Sequence, residues 1–114
     1  LFCLKTKTGH DLAGVISFDA DPETDLLPCW ADSLKPSVEF ARVAVSLKYQ
    51  GCGISEKLFS CASLEAKKRG FRGVRYLVAK TNRIALHAYR KLRFPTVGEC
   101  MYHGVEYWCC EKEI

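Results

Sequence analysis

The segment from Val38 to Leu58, VEFARVAVSLKYQGCGISEKL, constrains the fold more than any other part of the chain. An apolar run ends near Val45, a short polar stretch leads to Gln50-Gly51-Cys52-Gly53, and a helical pattern begins at once. Glycine lets the backbone approach a ligand without a Cβ clash, and the unpaired amides of a helix start present donors and a partial positive charge. A strand, a glycine turn and a helix in this order therefore read as a place to hold an anion, and a phosphate is the expected one.

Three phosphate-binding patterns can be compared with it. A nucleotide-triphosphate loop needs Gly-x-x-x-x-Gly-Lys followed by Ser or Thr, and no such run occurs. The dinucleotide pattern Gly-x-Gly-x-x-Gly fails because Glu56 stands at the third glycine position. What remains is Gln50-x-x-Gly53-x-Ser55, preceded by the hydrophobic strand Phe40 to Val45. This resembles the Gln/Arg-x-x-Gly-x-Gly/Ala pyrophosphate loop of the GNAT N-acetyltransferase superfamily. Further along, the run from Asn82 to Phe94, NRIALHAYRKLRF, is similar to that superfamily's Asn-x-x-Ala-x-x-x-Tyr-x-Lys-x-Gly-Phe segment. The two segments occur in the family's order, separated by a helix and a strand, and the resemblance extends from about Leu12 to the C-terminus.

Composition bounds the rest. With 114 residues, 48% of them hydrophobic, the chain can bury one core and is expected to form a single domain over residues 1–114. No apolar run reaches bilayer length and no signal-like N-terminus is visible, so a cytoplasmic protein without membrane association is expected. The seven cysteines are odd in number and show no Cys-x-x-Cys spacing, which argues for reduced thiols, with Cys61 and Cys109 read as small core hydrophobes. A metal site from Cys100, His103, Cys109 and Cys110 is disfavoured, because residues 100 and 103 tend to point to opposite faces of a strand. No metal is expected.

Periodicity and turn signals give eight main elements. Leu1–Lys5 and Leu12–Phe18 read as a hairpin around Thr8-Gly9-His10-Asp11, and Asp19–Ser37, with three prolines, as a long loop with room for one helical turn. Val38–Ser46 is strand and Ile54–Arg69 helix, with Ile54, Leu58, Cys61, Ala62 and Leu64 as its core face and Gly70 as its cap. Val74–Ala79 is strand, Asn82–Leu92 helix, and Thr96–Tyr102 with Val105–Glu111 a hairpin about His103-Gly104. The order predicts an α/β fold: a mixed, mainly antiparallel twisted sheet flanked by helices. The resemblance implies a GNAT-like fold in which the usual N-terminal strand and helices are missing, so a fragment, a trimmed fold or completion by a partner chain is expected.

Charge is divided along the chain. From Asp19 to Glu39 six acidic residues face only Lys35, whereas from Arg42 to Arg93 thirteen Lys and Arg face only Glu56 and Glu65. Solvated helix faces explain part of this, but the division suits a cationic acceptor on one side and a polyanion on the other. Nucleic acid is not expected, since the basic residues are not interleaved with exposed aromatics.

The resemblance implies acetyl transfer from acetyl-coenzyme A, as co-substrate, to a primary amine, on a small molecule or a lysine side chain. On that reading the amides of Gly51, Cys52, Gly53, Ile54 and Ser55 hold the pyrophosphate, with Gln50 shaping the loop. The backbone at Val43 and Val45 would meet the acetyl carbonyl and the pantetheine arm. Glu39 would serve as base, although a salt bridge with Arg42 also explains it, and Tyr89 would protonate the departing thiolate. Asn82 would cap its helix and touch the cofactor arm, and Arg90 and Lys91 would lie near the 3′-phosphate. Arg93 stands where the motif has glycine; a left-handed conformation there costs roughly 1 kcal/mol. A catalytically idle coenzyme A-binding or regulatory domain is the alternative, and the oligomeric state, homodimer included, is left open.

Overall fold

A computed structural model describes residues 2–114, and Leu1 lies outside the described residues. In chain order the elements are β1 (Phe2–Thr8), β2 (Asp11–Asp19), α1 (Pro22–Asp25), β3 (Ser37–Val45), α2 (Ile54–Lys68), β4 (Gly73–Ala79), α3 (Arg83–Lys91), β5 (Thr96–Tyr102) and β6 (Val105–Glu113). The strands form one mixed sheet in the order β1-β2-β3-β4-β6-β5. Every neighbouring pair is antiparallel except β3 and β4. The fold is thus the mixed, mainly antiparallel α/β sheet flanked by helices that the pattern predicts.

Two irregularities in β3 shape the molecule. Its parallel pairing with β4 covers only Ser37–Gly73, Val38–Val74 and Glu39–Arg75. Beyond these pairs β4 continues along β6 and β3 along β2, so Phe40–Val45 and Tyr76–Ala79 part from each other. The second irregularity is a bulge. Val15 faces Ala44 and Ser17 faces Ala41, leaving Ile16 opposite two residues of β3. An extra residue reverses strand alternation beyond it and sharpens the local twist. Accordingly Phe40, which pairs with Phe18 and packs on Phe59, shares a face with Val45, whose partner Gly14 looks directly at Ile54 and Leu58 of α2. Glu39 points to the other face.

Helices α2 and α3 cover one face of the sheet. Leu58, Phe59, Ala62 and Ala66 form the buried stripe of α2, against Ile16, Phe18, Val38, Phe40 and Val74. Two expectations are corrected here: Cys61 and Leu64 are exposed, because positions 58, 62 and 66 fix the inward direction and 61 and 64 fall on the far side of a 3.6-residue turn. Tyr89 anchors α3 through Phe59, Phe94 and Tyr76, at ring separations of 5.6, 6.3 and 4.4 Å.

Both helices end in the same way. The amides of Gly70 and Phe71 donate to Lys67 O and Ala66 O, and those of Arg93 and Phe94 to Arg90 O and Tyr89 O, the paired bonds of a Schellman stop. The first stop uses a glycine at φ 92°, the second an arginine at φ 56°. Arg93 therefore does adopt the left-handed conformation anticipated from the sequence.

The other face of the sheet is covered by the segment between β2 and β3. It contains the helical turn α1 and a 3₁₀ turn at Asp32–Leu34. Trp30, buried there, donates from Nε1 to Thr24 O (2.8 Å) and lies under the Arg75 guanidinium (4.6 Å). Arg75 is itself buried and paired with Asp25 (2.6 Å) and, more loosely, Glu111 (3.9 Å). At the end of the sheet, His103 and Gly104 turn the last hairpin with φ of 49° and 77°.

Candidate functional site

The turn between β3 and α2 is anchored from below. The Ser46 amide donates to Ala13 O (2.8 Å), and Asp11, at the tip of the first hairpin, accepts from Lys48 Nζ (2.7 Å) and the Tyr49 hydroxyl (2.9 Å). These bonds hold Asp11 below its ordinary pKa and raise Lys48 and Tyr49. From this base the chain rises through Gly51 and Gly53, both left-handed at φ 80° and 77°. A Cβ at either position would meet no protein atom within 4 Å, so the turn is open on its outer side. Gly53 caps α2 without any side chain, leaving the amides of Gly51, Gly53, Ile54 and Ser55 without a protein acceptor among the described residues. That is a nest of donors at the positive end of a helix. Cys52 departs from the expected set, because its amide already donates to Tyr49 O (3.3 Å) and its side chain is exposed.

Above this turn lies a cleft of about 530 Å³ between the starts of α2 and α3, floored by the parted end of β3. Val43, Val45, Gln50, Gly51, Gly53, Ile54, Ser55, Asn82 and Tyr89 all line it, so nine residues singled out in the sequence converge on one space. Lys91 also lines it, whereas Arg90 does not. Tyr49, Glu56, Phe59, Ile84, Ala85, His87, Ala88 and Leu92 complete the walls and were missed; Phe59 and Ala85 carried a signal, at helical spacing from Ser55 and Asn82. Asn82 Oδ1 accepts from the Ala85 amide (3.1 Å), which makes it the cap of α3 as well as part of the wall.

Tyr89 is buried, and burial together with the neighbouring Tyr76 phenol pushes its pKa well above the ordinary tyrosine value. It is therefore a neutral donor at any working pH. Tyr76 is raised by burial too.

Glu39 sits outside the cleft, on the opposite face of β3, at the last pair before β3 and β4 part. Its carboxylate accepts from the Thr24 hydroxyl (2.9 Å). Burial raises its pKa, the Thr24 bond and Arg75 lower it, and Asp21 and Asp19 raise it further. The alternative partner Arg42 has a side chain outside the described residues. Around Glu39 the segment 19–25 meets the last hairpin: His103 Nε2 lies 3.7 Å from Glu23, and Glu23 pushes the Tyr102 phenol up to about 12. Among the described residues no group of three or more His, Cys, Asp or Glu is arranged to hold a metal ion, and no helix is long and apolar enough to cross a membrane.

Comparison with known proteins places this architecture. No curated protein matches the chain in sequence. Among solved structures, an acetyltransferase of the GNAT family from Streptococcus pneumoniae superposes with a TM-score of 0.72 at 19% identity, covering 98% of this chain and 65% of that one. An N-acetyltransferase from Staphylococcus aureus gives 0.70 at 18% identity, over 94% and 64%. PaiA N-acetyltransferase from Thermoplasma acidophilum, in complex with coenzyme A, gives 0.73 at 19% identity, over 99% and 60%. The chain thus spans less than two thirds of the length of these three neighbours. The sequence profile of the acetyltransferase (GNAT) family matches residues 1–94. Since that match takes in the nest of free amides and the strand that parts beside it, the chain belongs to the acetyltransferase (GNAT) family.

Proposed function

We propose that this chain, acting as one domain, binds acetyl-coenzyme A and transfers the acetyl group to a primary amine by direct attack in a ternary complex. The observation that carries the reading is the cleft itself, where unpaired amides of Gly51, Gly53, Ile54 and Ser55 lie beside a strand whose ladder has ended. Those amides suit a pyrophosphate, and the left-handed glycines leave room for one because no Cβ stands in the way. The co-substrate supplies an activated thioester. The protein's part is to hold it, to accept charge at the carbonyl oxygen with a backbone amide of Val43 or Val45, and to manage two protons. A preorganised donor of that kind lowers a barrier by roughly 3 kcal/mol.

Tyr89, neutral and lining the cleft, donates a hydrogen bond to the departing sulfur. Glu39 faces the other side of the opening between β3 and β4, the side from which an amine would approach, and takes its proton. The acidic surroundings of Glu39, including Asp19 and Asp21, favour a cationic acceptor. A catalytically idle coenzyme A-binding domain is the second reading, since the nest of amides would hold the coenzyme whether or not Glu39 and Tyr89 act on it.

A thiol-release screen over an amine panel separates the two. Calorimetry with coenzyme A should show binding under either, while release of free thiol is expected only under the first. Tyr89→Phe should keep coenzyme A affinity and lose roughly 10²-fold or more in release, the scale for removing one preorganised hydrogen-bond donor. An unchanged rate removes Tyr89 from the mechanism, and absence of heat with coenzyme A removes the whole reading.

A further inference from the structure

We infer that the Thr24 hydroxyl is a positioning group that follows the charge of Glu39, holding the ionised carboxylate through Oε2 and shared with the Asp21 carbonyl once Glu39 is neutral; this rests on Glu39 being the base. The geometry lies in two distances from one oxygen. Thr24 Oγ1 is 2.9 Å from Glu39 Oε2 and 3.2 Å from Asp21 O. A hydroxyl carries one proton and donates to one acceptor at a time. Against an ionised carboxylate the carbonyl loses, since a charge-assisted bond is about twice as strong as a neutral one. When Glu39 takes a proton from the amine, an N–H bond breaks and an O–H bond forms at the free Oε1. The pull on the hydroxyl then weakens, and the Asp21 carbonyl competes on even terms. No proton passes through Thr24; it stabilises the charged form selectively.

The surroundings hold this bond in place. Thr24 is 2% exposed, so water does not replace it. Its backbone is fixed, with the carbonyl accepting from buried Trp30 Nε1 and the Asp21 carboxylate capping the turn through the Glu23 amide (3.0 Å). The ionisable groups that bear on Glu39 come from every packed element: Asp19 on β2, Asp21 before α1, Arg75 and Tyr76 on β4, and Tyr102 on β5. Asp19 and Asp21 disfavour the charged carboxylate and Arg75 favours it. Arg75 pairs through Nη1 with Asp25 and acts on Glu39 through its charge alone, so Thr24 is the direct hydrogen-bond donor to Glu39 among the described residues.

The test is a ¹³C NMR titration of the Glu39 side-chain carboxyl in the free full chain, its resonance assigned by its loss in Glu39→Gln. Thr24→Val, of nearly the same shape, should move the midpoint up by about one pH unit. Thr24→Ser should restore it, and Thr24→Ala, which also lacks the hydroxyl, should show the same rise and serves as the readout where the valine variant folds poorly. A midpoint unchanged in both Thr24→Val and Thr24→Ala overturns the inference. The acid limb of thiol release should move with the midpoint. A midpoint that moves while Glu39→Gln remains fully active upholds the hydroxyl's hold on Glu39 and overturns the assignment of Glu39 as base.

Discussion

Gly53 and Gly70 form a matched pair for separating folding from binding. Both are left-handed, at φ 77° and 92°, and a Cβ on either would touch no protein atom within 4 Å. Alanine at either position therefore carries only the conformational penalty of about 1–2 kcal/mol. A gain of roughly 0.4–1 kcal/mol from the stiffer unfolded chain offsets part of it, leaving a net loss of about 1 kcal/mol. At roughly 2.1 cal/mol/K per residue, unfolding of 114 residues has an entropy of about 0.24 kcal/mol/K, so Tm should fall by about 4 °C in each variant. Binding should split them. Gly53 borders the cleft, and a methyl group there would stand where the anion must approach; Gly70 ends α2 at its far terminus. Calorimetry with coenzyme A should show Kd raised about tenfold or more in Gly53→Ala, about 1.4 kcal/mol, and unchanged in Gly70→Ala. Equal binding losses in the two variants, or wild-type binding by Gly53→Ala, would refute the reasoning that the glycine turn is the anion cradle.

Arg93→Gly should raise Tm by about 4 °C in a thermal melt, because it relieves a left-handed non-glycine worth about 1 kcal/mol while keeping the backbone bonds of the stop; an unchanged or lower Tm contradicts the strain. Gly98→Ala should destabilise by about 1–3 kcal/mol in urea titration, because its Cβ would fall 2.7 Å from Cys29 Cβ and push the covering segment off the sheet. Glu39→Gln should cut thiol release by 10²-fold or more. The wild-type acid limb should be displaced upward from the ordinary glutamate value, since burial raises Glu39. The same shift sets a stability trend. A carboxyl that binds its proton more tightly when folded contributes stability that is fully present below the unfolded pKa and lost as pH rises through the folded one, so denaturant midpoints of wild type relative to Glu39→Gln should fall across that window.

The legible parts of the fold were those where local chemistry decides. Gly51 and Gly53 stood out because a turn with left-handed residues selects glycine, and His103-Gly104 because a tight hairpin selects the same backbone. The cleft was readable in part for a related reason: Gln50, Gly51, Gly53, Ile54 and Ser55 stand in one short run and Asn82 and Tyr89 in another, so two local patterns marked residues on its two sides. What stayed hidden depends on three-dimensional pairing. Cys61 and Leu64 match an apolar stripe on paper, yet Phe59 and Ala66 define the buried side of α2, and only packing against Phe40 and Ile16 shows which stripe turns inward. The bulge beside Ile16 leaves no mark in the strand sequence, so Glu39 and Val45 could not be assigned to opposite faces. Thr24 and Trp30 lay in a segment without periodicity, and their roles come from contacts with Glu39 and Arg75 that are distant in sequence.

The divergence of β3 from β4 after three pairs also bears on how the chain avoids its own kind. Open strand margins normally invite another polypeptide to dock and seed aggregates. Here the bare margin from Phe40 to Val45 lies in the interior of the strand order, between β2 and β4, rather than at either rim of the sheet. That position sets its unused hydrogen-bonding capacity back from the edges where neighbouring chains would add a strand.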